Sequence, residues 1–257
     1  MRAVRIDFLP LVLLVVAGLL PGCGGSGNAY PEGSYERGAE RFEEESWFEA
    51  VEDLRLFIRR APTDPRAPEA QYMIGMARFN DEVYPVAAVE FEILRNDYPT
   101  SPRVDDAWFM QGMCYVEQVP RIDLDQTTTR QAVQHFVRYL REYPGGNHRA
   151  EAEDELRKLN RHLDTKELES VRLYRQLGRN QAASISIEAM LEMRRDSELR
   201  PDMLLLAGDV YRRNAEFAKS RDAYQTFLRD YPDHERVDEA RKGIERVDGK
   251  AADGADS

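Results

Sequence analysis

The chain has 257 residues, two cysteines and a formal net charge of −11. That acidity argues against a nucleic-acid partner, whose phosphates call for a basic patch, and two cysteines are too few for a disulfide framework. Beyond residue 20 no apolar run is long enough to cross a bilayer, so any membrane attachment rests on the first segment.

That segment is a charged start (Arg2, Arg5) followed by an almost wholly apolar stretch, Phe8 to Leu20, and then Leu20-Pro21-Gly22-Cys23. The stretch is too short to span comfortably and reads as a signal peptide over residues 1–22. A small residue followed at once by cysteine resembles the lipobox of bacterial lipoproteins, which marks Cys23 as the acylated mature N-terminus. Several acyl chains, at about 0.8 kcal/mol per buried methylene, would hold a water-soluble domain firmly on a membrane. Gly24-Gly25-Ser26-Gly27-Asn28 follows as a flexible tether, taken over 23–30. The mature chain is more acidic still, since Arg2 and Arg5 leave with only Asp7.

From residue 31 a period of 37 residues organises the chain. Gly38, Gly75 and Gly112 share the period; Ala50 and Ala87 keep it, as do Pro62 and Pro99; Gly208, Ser220 and Pro232 return in the same frame. In the third unit Ala132, Phe136 and Pro144 lie eight residues late, which places an insertion in the turn around 119–128. Leu54, Phe91, Phe136 and Tyr224 hold a large residue four positions after the small one. This frame resembles the tetratricopeptide repeat, in which small residues let two antiparallel helices approach and proline ends the unit. The fold expected is an all-α solenoid of about five helix-turn-helix units, three over 31–146 and two over 147–246. A helix from about Ala150 to Leu163 reads as the return of the third unit. The unit between Asp164 and Asp196 is degenerate: Ser170 stands in the glycine position, Ala182 in the small-residue position and Arg194 in the proline position, with Val171, Tyr174, Leu177, Ile185, Ala189 and Leu191 as its apolar face. Residues 247–257 lack apolar anchors and read as a disordered tail.

No catalytic constellation emerges. His135, His148, His162 and His234 lack metal-ligand spacing. There is no Gly-rich phosphate loop and no Gly-x-Ser-x-Gly elbow. Glu43-Glu44-Glu45 point in different directions on a helix and read as a solvated face. Cys114 reads as a small core residue. The expectation is no enzyme, no metal and no cofactor.

One pattern does stand out. Tyr35, Ala39 and Phe42, then Tyr72, Met76 and Phe79, then Phe109, Met113 and Val116 form stripes at i, i+4, i+7, repeated with the 37-residue period. Two readings stay open: a core seam, or in part an apolar groove for an extended peptide. Arg37, Arg41, Gln71 and Arg78 at neighbouring packing positions sit poorly with a pure core. The groove candidates are Tyr35, Phe42, Tyr72, Met76, Phe79, Phe109 and Met113; adaptable methionines suit many related sequences. At the other end, a helix from about His234 to Val247 is charged all round, either as a polar cap or as a partner surface carried by Arg241 and Arg246.

The lipobox, five such units, the lengthened third turn and the degenerate fourth unit together resemble the BamD family of outer-membrane β-barrel assembly lipoproteins. Asp125-Gln126-Thr127 is similar to that family's turn opening the second helix of the third unit, where Thr127 to Thr129 offer an N-cap; the stretch from Glu153 to Tyr174 is similar too. The resemblance implies a lipid-anchored protein on the periplasmic face of the outer membrane, and Gly24 after the cysteine fits that destination. It implies a C-terminal half that binds the POTRA domains of a barrel-forming BamA-like subunit, contacts with other assembly lipoproteins, and N-terminal units that receive unfolded outer-membrane protein precursors. The alternative is a periplasmic tetratricopeptide adaptor coordinating cell-envelope or peptidoglycan synthesis, but that family's coiled coil is absent from the sequence and it has no lipobox.

Overall fold

The computed structural model describes residues 30–255, with side chains described through Gly249. The signal peptide, Cys23 and all of the tether except Tyr30 lie outside the described residues. Eleven helices and no strand occur among those described: α1 (Tyr35–Glu43), α2 (Trp47–Arg60), α3 (Ala67–Asn80), α4 (Tyr84–Asp97), α5 (Val104–Val116), α6 (Thr127–Glu142), α7 (Arg149–Gln176), α8 (Asn180–Met193), α9 (Arg200–Arg213), α10 (Phe217–Asp230) and α11 (Val237–Ala255). Each packs on the next in chain order, giving five antiparallel pairs and a final helix, an all-helical tetratricopeptide solenoid.

Within a pair, the turn is the same tight device four times. Glu45, Glu82, Gly178 and Ala215 adopt positive φ. The next residue's N–H reaches back to the carbonyl five positions earlier: Ser46 to Arg41 O and Val83 to Arg78 O, both at 2.9 Å, with Arg179 to Tyr174 O and Glu216 to Tyr211 O matching them. This closure consumes the orphan carbonyls of the first helix and reverses the chain within a few residues. Between pairs the second helix ends shortly before Pro62, Pro99, Pro144 and Pro232, whose predecessors Ala61, Tyr98, Tyr143 and Tyr231 leave the helical region.

Side chains across each pair explain the repeating glycine. A methyl group added at Gly75 would lie 2.6 Å from the Phe91 ring, and one at Gly112 would lie 2.7 Å from Phe136. Both rings are fully buried. The degenerate unit solves the same problem with the sizes exchanged: Val171 occupies the glycine position and the smaller Ile187 the aromatic one, both with no exposure.

Three sequence expectations are corrected here. The third unit returns through α6, and the segment from 150 is the start of one 28-residue helix, α7, with no proline or glycine to break it. Its first half, with Ala152 and Leu159, packs on the core of units two and three. Its second half, with Leu168 and Val171, opens the next core with α8 and α9. The small residue of that unit is Ala183, fully buried, rather than Ala182, while Leu177 and Ile185 face solvent at 62% and 59% exposure; the register is one residue later than the apolar spacing suggested. The expected disordered tail is also overturned. Helix α11 continues to Ala255, and Val247 is buried against Tyr224, Phe227 and Ala240.

The inserted turn, residues 117–126, falls where the repeat placed it. Thr127 to Thr129 do not cap α6 as expected. Asp125 accepts from the Thr127 N–H at 2.9 Å, and buried Gln126 pins the loop by donating to Arg121 O (2.9 Å) and Leu124 O (3.1 Å) while accepting from Thr129 Oγ1 (2.7 Å). An amide that satisfies three groups at once holds an insertion that has no core of its own.

Candidate functional site

The stripe residues Tyr35, Phe42, Tyr72, Met76, Phe79, Phe109 and Met113 are all half-buried, aligned along the first helices α1, α3 and α5. Their rings lean on the core behind them. Tyr35 meets Phe57 edge-on at 5.6 Å, Tyr72 meets Phe91 at 5.8 Å and Phe109 meets Phe136 at 6.0 Å. Further along the stripe, Phe42 packs on Trp47 and Phe79 on Tyr84. Met76 and Met113 fill the gaps at the edge of the same core.

A second set of residues, missed from sequence, covers the outer ring faces. The Arg66 guanidinium lies 5.0 Å from the Tyr35 ring, Arg103 lies 4.7 Å from Tyr72, and the His148 imidazole stacks on Phe109 at 4.5 Å and 14°. Each of the three sits just before the first helix of the following unit. Arg66 and Arg103 are 37 residues apart, and His148 follows with the eight-residue insertion, so the period alone could have found them. Acids anchor all three: Arg66 pairs with Glu36 at 2.6 Å, Arg103 with Glu69 at 2.6 Å and Asp106 at 2.8 Å, and the His148 ring lies 2.9 Å from Asp106 Oδ1. Hydrogen bonds to Glu69 and Asp106 raise the Arg103 pKa above its ordinary value. Arg236 repeats the device on Asp202 at 2.5 Å in the last unit. Exposed pairs of this kind contribute about 0–1 kcal/mol each. The first-helix face is therefore neither bare groove nor closed core: capped rings alternate with half-open methionines.

Two of the four polar residues that sat poorly with a core reading, Arg37 and Gln71, are absorbed by packing. Arg37 pairs with buried Asp53 at 3.0 Å, and Asp53 also accepts from Gly33 N–H at 2.8 Å. Gln71 donates to the buried Glu90 carboxylate at 2.8 Å, with Arg55 on its other oxygen.

Cys114 has no exposure, and burial pushes its thiol up to about 12, which leaves it protonated and inert. His135 donates Nε2–H to the Trp108 carbonyl at 2.7 Å, and burial pulls its pKa down to about 4, so it is a neutral packing residue. Among the described residues no cluster of His, Cys, Asp and Glu could hold a metal, and no helix is long and apolar enough to cross a membrane. Arg241 and Arg246 both lie exposed on α11, with Arg241 3.3 Å from Asp238.

Helix pairs, turn closures and the recurring small-against-large contact define a tetratricopeptide scaffold. Residues 202–234 match a tetratricopeptide-repeat model, and residues 28–213 match the model of YfiO, described as an outer membrane lipoprotein. The chain belongs to that family of outer membrane lipoproteins, which is BamD-like. A solved tetratricopeptide protein from Thermus thermophilus is 17% identical, covering 82% of this chain and 96% of its own, with a TM-score of 0.31. No curated protein matches the chain. The families matched are helical repeat scaffolds rather than enzymes.

Proposed function

We propose that this protein is a lipid-anchored scaffold of outer-membrane β-barrel assembly, on the periplasmic face, with no catalytic activity. Its C-terminal half docks the POTRA domains of a BamA-like barrel-forming subunit, its N-terminal units receive unfolded barrel precursors, and further assembly lipoproteins attach to it. The observation that carries the reading is a family match running unbroken across four of the five helix pairs, on a chain whose start has the lipobox pattern. Purification of the tagged protein from solubilised outer membrane should recover a barrel-forming subunit at near-equal amount. Recovery of peptidoglycan-synthesis proteins in its place would overturn the assignment in favour of an envelope adaptor.

This reading puts the precursor-binding surface on the first-helix face, at Met76, Phe79 and Met113 between the capped rings of Tyr35, Tyr72 and Phe109, with Phe42 at its outer end. Photo-crosslinkers at Met76 and Phe79 should capture an extended, aromatic-ended peptide, and one at exposed Glu44 should not. Because Tyr72 packs on Phe91 and under Arg103, Tyr72→Ala is expected to lower stability as well as affinity. The discriminating variant is Met76→Gln, which keeps the length of the side chain. Binding that persists unchanged in Met76→Gln would remove the groove from this face.

The docking surface is placed on α11. Charge reversal of Arg241 and Arg246 together should cut co-purification of the barrel-forming subunit while leaving the thermal midpoint unchanged, because both side chains are exposed. Planar guanidiniums pair well with carboxylates but rim pairs are individually weak, so the gap between wild type and variant should narrow as salt is raised. Undiminished recovery would make α11 a solvated cap and nothing more.

A further inference from the structure

The second helices of units two and three, α4 and α6, both pack on α5, and between them opens a cleft of about 380 Å³ lined by Arg95, Trp108, Arg138, Glu142 and Tyr143. It stands apart from both surfaces discussed above. The Arg95 guanidinium lies over the Trp108 ring at 3.4 Å and donates through Nη1 to Gln111, while its Nε is buried without an acceptor. Among the described residues no carboxylate lies within ion-pair distance of Arg95 or of Arg138. Other partly buried arginines of this protein behave differently: Arg37 pairs with Asp53, Arg103 with Glu69, Arg175 with Asp209 and Arg194 with Asp164.

The nearby acids do not fill the gap. Glu142 is paired with Arg141 at 2.9 Å, and Glu92, one turn before Arg95 on α4, is exposed and unpaired with it. His135, behind the cleft, stays neutral, and burial lowers the Arg95 pKa even against the opposing field of Glu92. Two guanidiniums with no ion-paired carboxylate of their own, beside a Glu142 that is held by Arg141, form a local exception to the acidic surface of a chain of net charge −11. The walls choose among anions: Trp108 and Tyr143 offer apolar surface to methylene groups, which a phosphate lacks. Val89, Ile93 and Val137 lie exposed on the same two helices, and a second cleft on α4, α5 and α6 is lined by Pro85, Val89, Glu92, Tyr115 and Gln131. The setting suits an acidic side chain with apolar neighbours on a polypeptide.

We propose that this cleft receives a glutamate side chain of a partner protein, Arg95 and Arg138 pairing with its carboxylate and Trp108 and Tyr143 walling its methylenes. The mature chain holds two tryptophans, so the Trp108 indole N–H resonance reports on the cleft and Trp47 serves as the internal control. Titration with the capped tripeptide valyl-glutamyl-valine should shift Trp108 saturably and leave Trp47 still. The glutamine counterpart, or the same peptide added to Arg138→Gln, should bind weaker by about fivefold or more, the range expected for loss of a charge-assisted pair. Arg138 is exposed, so this variant should melt like the wild type. The proposal is overturned by the absence of a saturable shift, by an equal response to the glutamine peptide, by an unchanged response in Arg138→Gln, or by tighter binding of inorganic phosphate or phosphatidylglycerol vesicles than of the glutamyl peptide.

Discussion

Replacing Gly75 with leucine is expected to lower the thermal midpoint by several degrees, while Glu44→Gln leaves it unmoved. The first added carbon alone would sit 2.6 Å from the Phe91 ring, inside contact distance. Phe91 cannot yield easily, because it is fully buried and carries Tyr72 on its other side at 5.8 Å. The helices α3 and α4 must then part, or a ring must leave its rotamer. Overpacking of this kind costs about 1–3 kcal/mol and occasionally more, and for a chain of this size each kcal/mol moves the midpoint by about 2–4 °C. Ala87→Leu should act in the same direction, since Ala87 is fully buried on the facing helix. Glu44 is exposed at the end of α1 and touches no core. In a solenoid each unit leans only on its neighbours, so hydrogen exchange in Gly75→Leu should accelerate first in α3, α4 and the helices beside them. Equal and negligible midpoint shifts for all three variants would remove the basis of the repeat register.

Replacing Cys23 with serine is expected to abolish fatty-acid incorporation altogether and to release the protein from the membrane or leave its leader uncleaved. On the lipobox reading the Cys23 sulfur accepts the lipid, and serine's hydroxyl is a far weaker nucleophile at neutral pH. Among the described residues no helix could cross a membrane, and a chain of net charge −11 is repelled by anionic headgroups. The family match begins at residue 28, so this prediction rests on the apolar run that closes on Gly22-Cys23. Labelled palmitate retained by Cys23→Ser would refute it.

Both variants act on features legible in the sequence, and the reasons the remainder was not legible are specific. The period of 37 residues carries the helix pairs because each small residue must face its partner across one pair, a local constraint that leaves a mark at fixed spacing. It failed in the fourth unit, where Val171 and Ile187 meet the same steric demand with the sizes exchanged, so the mark was absent though the packing was present. It failed again at the long helix α7, because a continuous helix spanning two cores looks in sequence like two shorter ones. The tail was misread since Val247 is a single apolar anchor, and only the position of α10 shows what it anchors to.

The stripe of rings was legible; the residues that cover it recur at the same period, but their place on the rings was not legible. Arg66, Arg103 and His148 come from the next unit, and no pattern within one helix reveals that a side chain from its neighbour will lie on its aromatic face. The sequence by itself determined the repeat and the family, because each depends on residues close along the chain. The tertiary structure alone decided which charges are paired across units and which, like Arg95 and Arg138, are left without a carboxylate, because ion pairing depends on distances of a few ångströms between residues far apart in the chain.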